Sequence, residues 1–229
     1  MALQNLSISG RSMLRVFSGS ALVLALAACS GLPTAPTQPA RYDLGLSDLS
    51  ASQPGAAAPG RADALPLVLA EVQTPGLPEG LTAMFYRLSY ADGQQLLAYQ
   101  NARWSLPPAQ MLEQRLRMRL GTVRPILSGR DNVSMAPADK RAVAMLRVDV
   151  DEFSQVFDSA QSSRAVVRLS ASLIGRTDGG VGNSLLGQQV FTAQAPAASA
   201  DAAGGARAMA LAVDEAVDQL SRWLQSQGR

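Results

Sequence analysis

The chain has 229 residues, with 20 basic and 18 acidic side chains, one cysteine and no histidine. The absence of histidine excludes His-ligated zinc, the Ser-His-Asp triad and the Cys-His dyad. Charge is nearly balanced, no run of Lys and Arg occurs and Lys140 is the lone lysine, which argues against nucleic acid or a polybasic membrane patch as the target.

Residues 1–28 read as an export signal. Arg11 and Arg15 form a positive amino-terminal region, and the apolar run Val16 to Ala28, broken by Ser18, Gly19 and Ser20, is too short to span a bilayer as a stable helix. The run closes on Leu26-Ala27-Ala28-Cys29, which resembles the bacterial lipobox, where a diacylglyceryl group is added to the thiol before the signal is removed. Cys29 is thus the expected lipid-attachment residue and the first residue of the mature chain. An ordinary cleaved signal or a retained anchor would leave Cys29 incidental, yet the only cysteine falls at the one useful position. Ser30 follows it, where Asp would retain an enterobacterial lipoprotein in the inner membrane, so outer-membrane sorting on the periplasmic face is expected. Subtracting the two signal arginines, 20 minus 2, leaves 18 basic residues against 18 acidic ones, a mature charge of zero. Acylation of Cys29 leaves no thiol for a disulfide, a metal or a nucleophile.

From Cys29 to residue 64 the composition is rich in Pro, Ala, Gly, Ser and Thr, too poor in apolar surface to offset ordering entropy, and reads as a linker. Within it, residues 41–46 alternate Tyr42, Leu44 and Leu46 and can form a short strand. A single periplasmic domain is expected over 65–229.

Leu65 to Gln73 suits a strand stopped by Pro75-Gly76, and Leu81 to Tyr90 suits another, with Met84, Tyr86, Leu88 and Tyr90 on one face. Ala91-Asp92-Gly93-Gln94 is a hairpin signal leading to a return strand, Gln95 to Trp104. Pro107-Pro108 opens a helix whose stripe is Ala109, Leu112, Leu116 and Leu120, with Gly121 suited to its cap. Thr122 to Leu127 suits a short strand. Ala142 to Phe157 and Arg164 to Ile174 alternate cleanly, predicting a second hairpin with acids on one outer face and arginines on the other. Gln188 to Gln194 follows a glycine-rich turn as a third strand. Ala200 to Gln227 is a helix with Met209, Val213, Ala216, Leu220 and Trp223 on its buried side. The expected fold is α+β: a mainly antiparallel sheet with two helices packed on one face, in strands-helix-strands-helix order.

Chemistry-bearing motifs are few. The loop Gly175 to Gly187 lacks Gly-Lys-Ser/Thr and the glycine spacing of a dinucleotide site, so a hairpin connection is the better reading. Asp149, Asp151, Glu152 and Asp158 could be imagined as hard-metal ligands, but alternate strand positions are the ordinary solvent face and the calcium-loop glycine and distal glutamate are missing. A Ser-Lys mechanism would need Lys140, which no catalytic motif surrounds. No catalytic, metal or cofactor site is expected. Arg103-Trp104, where a strand meets a proline-opened helix, is read as a packing joint or a partner-binding motif.

Tyr42-Asp43-Leu44, Phe85-Tyr86-Arg87, Leu97-Ala98-Tyr99, Asn101-Ala102-Arg103-Trp104 and the helix Met111-Leu112-Glu113-Gln114-Arg115-Leu116 together resemble the PqiC-like, ABC-type transport auxiliary lipoprotein family. The family phrase after Arg-Trp is approximately Ala-Glu-Pro-Leu; here it is Ser105-Leu106-Pro107-Pro108, so a role for the acidic residue is not carried over. The resemblance implies a non-enzymatic component of an envelope lipid-transport system, partnered by an MCE-domain protein and an ABC permease and anchored in the outer membrane. It leaves homo-oligomerisation open. The competing readings are a stand-alone lipid- or hydrophobe-binding lipoprotein and an envelope assembly factor.

Overall fold

A computed structural model describes residues 38–45, 65–76, 80–129, 143–176 and 183–228. The elements belong to one unit running from Pro39 to Arg229. The cleanest alternations in the sequence become its longest strands. Strand β6 (Ala144–Phe157) and strand β7 (Ser163–Arg176) pair antiparallel along almost their full length, and β8 (Asn183–Pro196) pairs antiparallel with the other edge of β7. Leu146, Val148 and Val150 lie beside Leu173, Ala171 and Leu169, all fully or almost fully buried.

Between Val150 and Glu152 the register shifts, and burial passes from even-numbered residues to Phe153, Gln155 and Phe157. One extra residue flips the side-chain phase of a strand. The bulge lets the adjacent Asp151 and Glu152 both stay off the core, so β6 buries residues at each end without burying a carboxylate.

Strand β3 (Ala83–Leu88) and strand β4 (Asp92–Trp104) form the first hairpin, turning through residues 89–91 just before the Asp92-Gly93 pair. Between β4 and the short β5 (Ile126–Ser128) runs helix α1 (Pro108–Gly121). Strand β2 (Leu67–Leu69) is shorter than the run Leu65 to Gln73; beyond it the chain keeps only a bridge from Gln73 to Asp149. β2 lies parallel between β5 and the first half of β6, while β3 lies parallel to the second half of β6. Strand β1 (Ala40–Tyr42) is parallel to the end of β4.

The sheet is therefore mixed, not mainly antiparallel. Alternation reports which face of a strand is buried and carries no information about the direction of its neighbour. Direction follows from the crossover through α1, which lets β5 and β6 run parallel to β2 and β3.

Helix α1 buries Met111, Leu112, Leu116 and Leu120; its cap is Thr122 with φ −72°, so Gly121 stays helical. Helix α2 (Ala202–Ser226) is amphipathic and buries Met209, Val213, Val217, Leu220 and Trp223 among others. It lies on β7 and β8 and touches α1. One hydrophobic cluster takes in both helices and the inward rows of the strands.

Candidate functional site

Cys29 lies outside the described residues. The first described segment after it, residues 38–45, is pinned to the domain at several points. β1 places Tyr42 in register with Trp104, and the Ser105 amide donates to the Tyr42 carbonyl at 2.7 Å. Leu44 is buried, and the Gly45 N–H donates to Asp43 Oδ1 at 2.8 Å in an Asx turn, with Gly45 at φ 70°. Arg115 of α1, only 5% exposed, donates to the Leu44 carbonyl at 2.5 Å and pairs with Asp214 of α2 at 3.3 Å. One guanidinium thus ties the entering segment, α1 and α2 together. Burial raises the Asp214 carboxyl above its ordinary pKa despite the opposing pull of Arg115. A cavity of about 320 Å³ lies between the segment and α2, with Arg41, Leu44, Ala206 and Arg207 in its wall.

Arg103 and Trp104 fall at the end of β4 and point to opposite faces. Trp104 is 2% exposed and meets Phe153 edge-to-face, with ring centroids 5.5 Å apart; its amide donates to Thr82 O at 2.7 Å. Arg103, half-buried beside Arg41 of β1, turns back to donate to the carbonyls of Tyr99 and Ala102. Those acceptors lie where β4 departs from regular register with β3, so Arg103 stabilises an irregular strand.

A polar network closes the core under the start of α2. The Gln155 side chain, 2% exposed, accepts from Tyr99 Oη at 2.9 Å and donates to Ser163 Oγ at 2.7 Å. Tyr99 packs on Tyr86 at 4.8 Å, and Tyr86 on Phe157 at 5.7 Å. Burial, followed by the neighbouring Tyr86 and Asp201, pushes the Tyr99 phenol pKa up. Asp201 caps α2 by accepting from Gly204 N–H at 2.6 Å. That bond, followed by one from Ser199, holds its carboxyl below the ordinary value. Met84 is part of the core and Tyr90 stands exposed at the hairpin turn, so the face proposed for Met84, Tyr86, Leu88 and Tyr90 grades from core to solvent.

The acids of β6 and its turn are engaged with neighbours. Glu152 pairs with Arg87 at 3.1 Å, Asp149 with Arg147 at 3.8 Å and Asp158 with Arg164, while Asp151 accepts from Ser170 Oγ. Among the described residues no group of acids, His or Cys is placed to hold a metal ion, and no helix is long and apolar enough to cross a membrane. Arg115 is the site residue that sequence patterning missed. Its signal was a charge at i+4 from Met111 and i+3 from Leu112, inside the apolar stripe instead of beside it.

These features define a two-helix α+β domain whose entering segment is clamped by a buried arginine. A model of the ABC-type transport auxiliary lipoprotein component family matches residues 48–221, more than half of the chain, and the chain belongs to that family. In fold it is similar to protein XCC0632 of Xanthomonas campestris, assigned to family DUF330, with a TM-score of 0.57 at 16% identity over 86% of this chain and 91% of that one. It is also similar to an uncharacterized protein of known structure, with a TM-score of 0.52 at 16% identity over 82% of this chain and 99% of that one. No curated protein sequence matches the chain.

Proposed function

We propose that this protein is an outer-membrane lipoprotein that serves, without catalysing a reaction, as the periplasmic auxiliary component of an MCE- and ABC-type lipid-transport system. The family match carries this reading. The lipobox ending at Cys29 supplies the anchor, and Ser30 favours outer-membrane sorting. Acyl chains contribute about 0.8 kcal/mol per buried methylene, so several together hold a protein at the bilayer. β1 starts eleven residues after Cys29, and such a stretch spans at most about 40 Å. The partner must therefore come to the membrane-tethered domain.

Crosslinking in intact cells, followed by purification of the full lipoprotein, tests the reading. Recovery of an MCE-domain or ABC permease component is expected; recovery of neither under conditions that preserve such complexes would overturn it. The cargo-binding alternative draws on one observation, the row of register partners Leu127, Val68, Met145, Ile174 and Leu185 on the sheet face away from the helices. Binding of a radiolabelled phospholipid by the purified domain, with no transport component recovered, would favour that alternative.

A further inference from the structure

Among the described residues β8 pairs with β7 and with no other strand. An unpaired edge presents main-chain N–H and C=O groups to any passing strand, and soluble proteins blunt such edges with charge, proline or short length. β8 is fourteen residues long, with its only proline at the final position, Pro196. It carries no charged side chain, whereas β6 carries Arg147, Asp149, Asp151 and Glu152, and β7 carries Arg164 and Arg168. Its one irregularity lies near Ile174 and Leu185, leaving Gly187 to Pro196 in unbroken register.

Two features beside this edge define what it would accept. On the face away from the helices, Leu127 of β5, Val68 of β2, Met145 of β6, Ile174 of β7 and Leu185 of β8 are successive register partners. At about 4.8 Å per strand, the row crosses roughly 19 Å of sheet. Its β8 end is open, with Leu185 62% exposed; Met145 within the row is 40% exposed, and Val190 further along β8 is 56% exposed. On the helix side, a groove of about 370 Å³ follows the edge between β8 and α2. Phe191 and Trp223 meet edge-to-face at 5.8 Å in its wall, beside Gln189, Gln219 and Arg222.

We infer that β8 is a docking edge for an extended, uncharged segment of a transport-system partner, which joins the sheet as an added strand. Its apolar side chains on one face continue the row past Leu185, and those on the other enter the groove at Phe191 and Trp223. Main-chain pairing supplies affinity and alternate pockets supply specificity, as in other strand-addition complexes. An acyl chain could cover the row but would leave the β8 amides and carbonyls unpaired. A second copy pairing antiparallel about Val190 would set Leu185 beside the Ala195-Pro196 end and leave the row unextended. A segment of different sequence is the better complement. This inference rests on the proposed partnership.

The test places a photo-crosslinking residue at position 190 of the full lipidated protein in cells, and in parallel at position 211, where Leu211 is exposed on α2. The expected adduct joins position 190 to one segment of an MCE or ABC component, with position 211 giving about tenfold less. Adding Leu185→Lys and Thr192→Lys should cut the 190 adduct about tenfold with circular dichroism and Tm preserved. An adduct with a second copy, with lipid or with the chain's own linker would overturn the inference, as would equal labelling from position 211. Absence of any adduct while the partner still co-purifies would remove the docking edge alone; loss of co-purification as well would remove the proposed function with it.

Discussion

Gly205 lies so close to Gln155 that a Cβ at residue 205 would stand 1.9 Å from Gln155 Oε1. Gln155 cannot easily yield, because the same amide is held by Tyr99 at 2.9 Å and Ser163 at 2.7 Å. Replacing a helical glycine with alanine ordinarily gains up to about 1 kcal/mol. Here overpacking should reverse the sign, and Gly205→Ala should lose roughly 1–3 kcal/mol in urea unfolding. Combining it with Gln155→Ser should recover part of the loss, since the two residues share one contact; strict additivity would show that the clash is not the cause.

That contact also marks where sequence reading stops. The alternation around Val148 and Val167 specified two long strands and their buried faces, and the spacing of Met209, Val213 and Leu220 specified α2. Parallel pairing of β2, β3 and β5 was not legible, because strand direction depends on where α1 returns the chain. The β6 bulge was masked by continuous alternation on either side of Val150. For Arg115 and Gly205, the determining neighbours, Leu44 and Gln155, are far away in sequence and meet only after the helices dock.

Arg115→Met should separate the clamp from the core. Methionine keeps much of the stem's apolar contact but removes the donor to the Leu44 carbonyl and the partner of Asp214. A hydrogen bond to a charged group contributes about 1.5–3 kcal/mol, and a loss of that order is expected. Amide exchange should rise first at Ser105, whose N–H reaches the Tyr42 carbonyl. Uniform loss of protection across β6 and β7, with Ser105 no faster than they are, would contradict a local clamp.

Trp104→Phe tests the partner-binding reading of Arg103-Trp104. The indole is 2% exposed and packs on Phe153, out of reach of a docking protein. The variant should lower stability by about 1–3 kcal/mol, the scale of losing part of a buried aromatic side chain, while a folded sample keeps its partner. Arg103→Gln should act through the Tyr99 and Ala102 carbonyls in the same way. Loss of co-purification with Tm unchanged in either variant would restore the motif as a contact surface.

Acid titration should reveal two aspartates of opposite sign. Asp201 has its folded pKa lowered, chiefly by the Gly204 N–H, so its contribution is full above the unfolded value and is lost as pH falls through the folded one. Asp214 has its folded pKa raised, chiefly by burial, so its contribution is full below the unfolded value and is lost as pH rises through the folded one. Asp201→Asn should therefore flatten the fall in Tm on acidification, whereas Asp214→Asn should steepen it. Thermal unfolding followed from neutral to acid pH checks both; matching slopes in the two variants would refute the assignment.

Cys29→Ala addresses the anchor directly. With no second cysteine in the chain, the substitution removes the only thiol that can take a thioether-linked diacylglyceryl group. Metabolic palmitate labelling should disappear, and the protein should leave the outer-membrane fraction. The domain should keep its Tm, because its first strand starts at Ala40 and the Arg115 clamp closes on Leu44, both beyond residue 29. On the proposed function, crosslinking to the transport component should fall with β8 unaltered, because a tether at residue 29 would hold the domain within about 40 Å of the bilayer and so concentrate it where the partner arrives. Palmitate label that persists in the variant would remove Cys29 as the attachment site. Undiminished partner crosslinking by the released domain would show that the tether does not limit assembly.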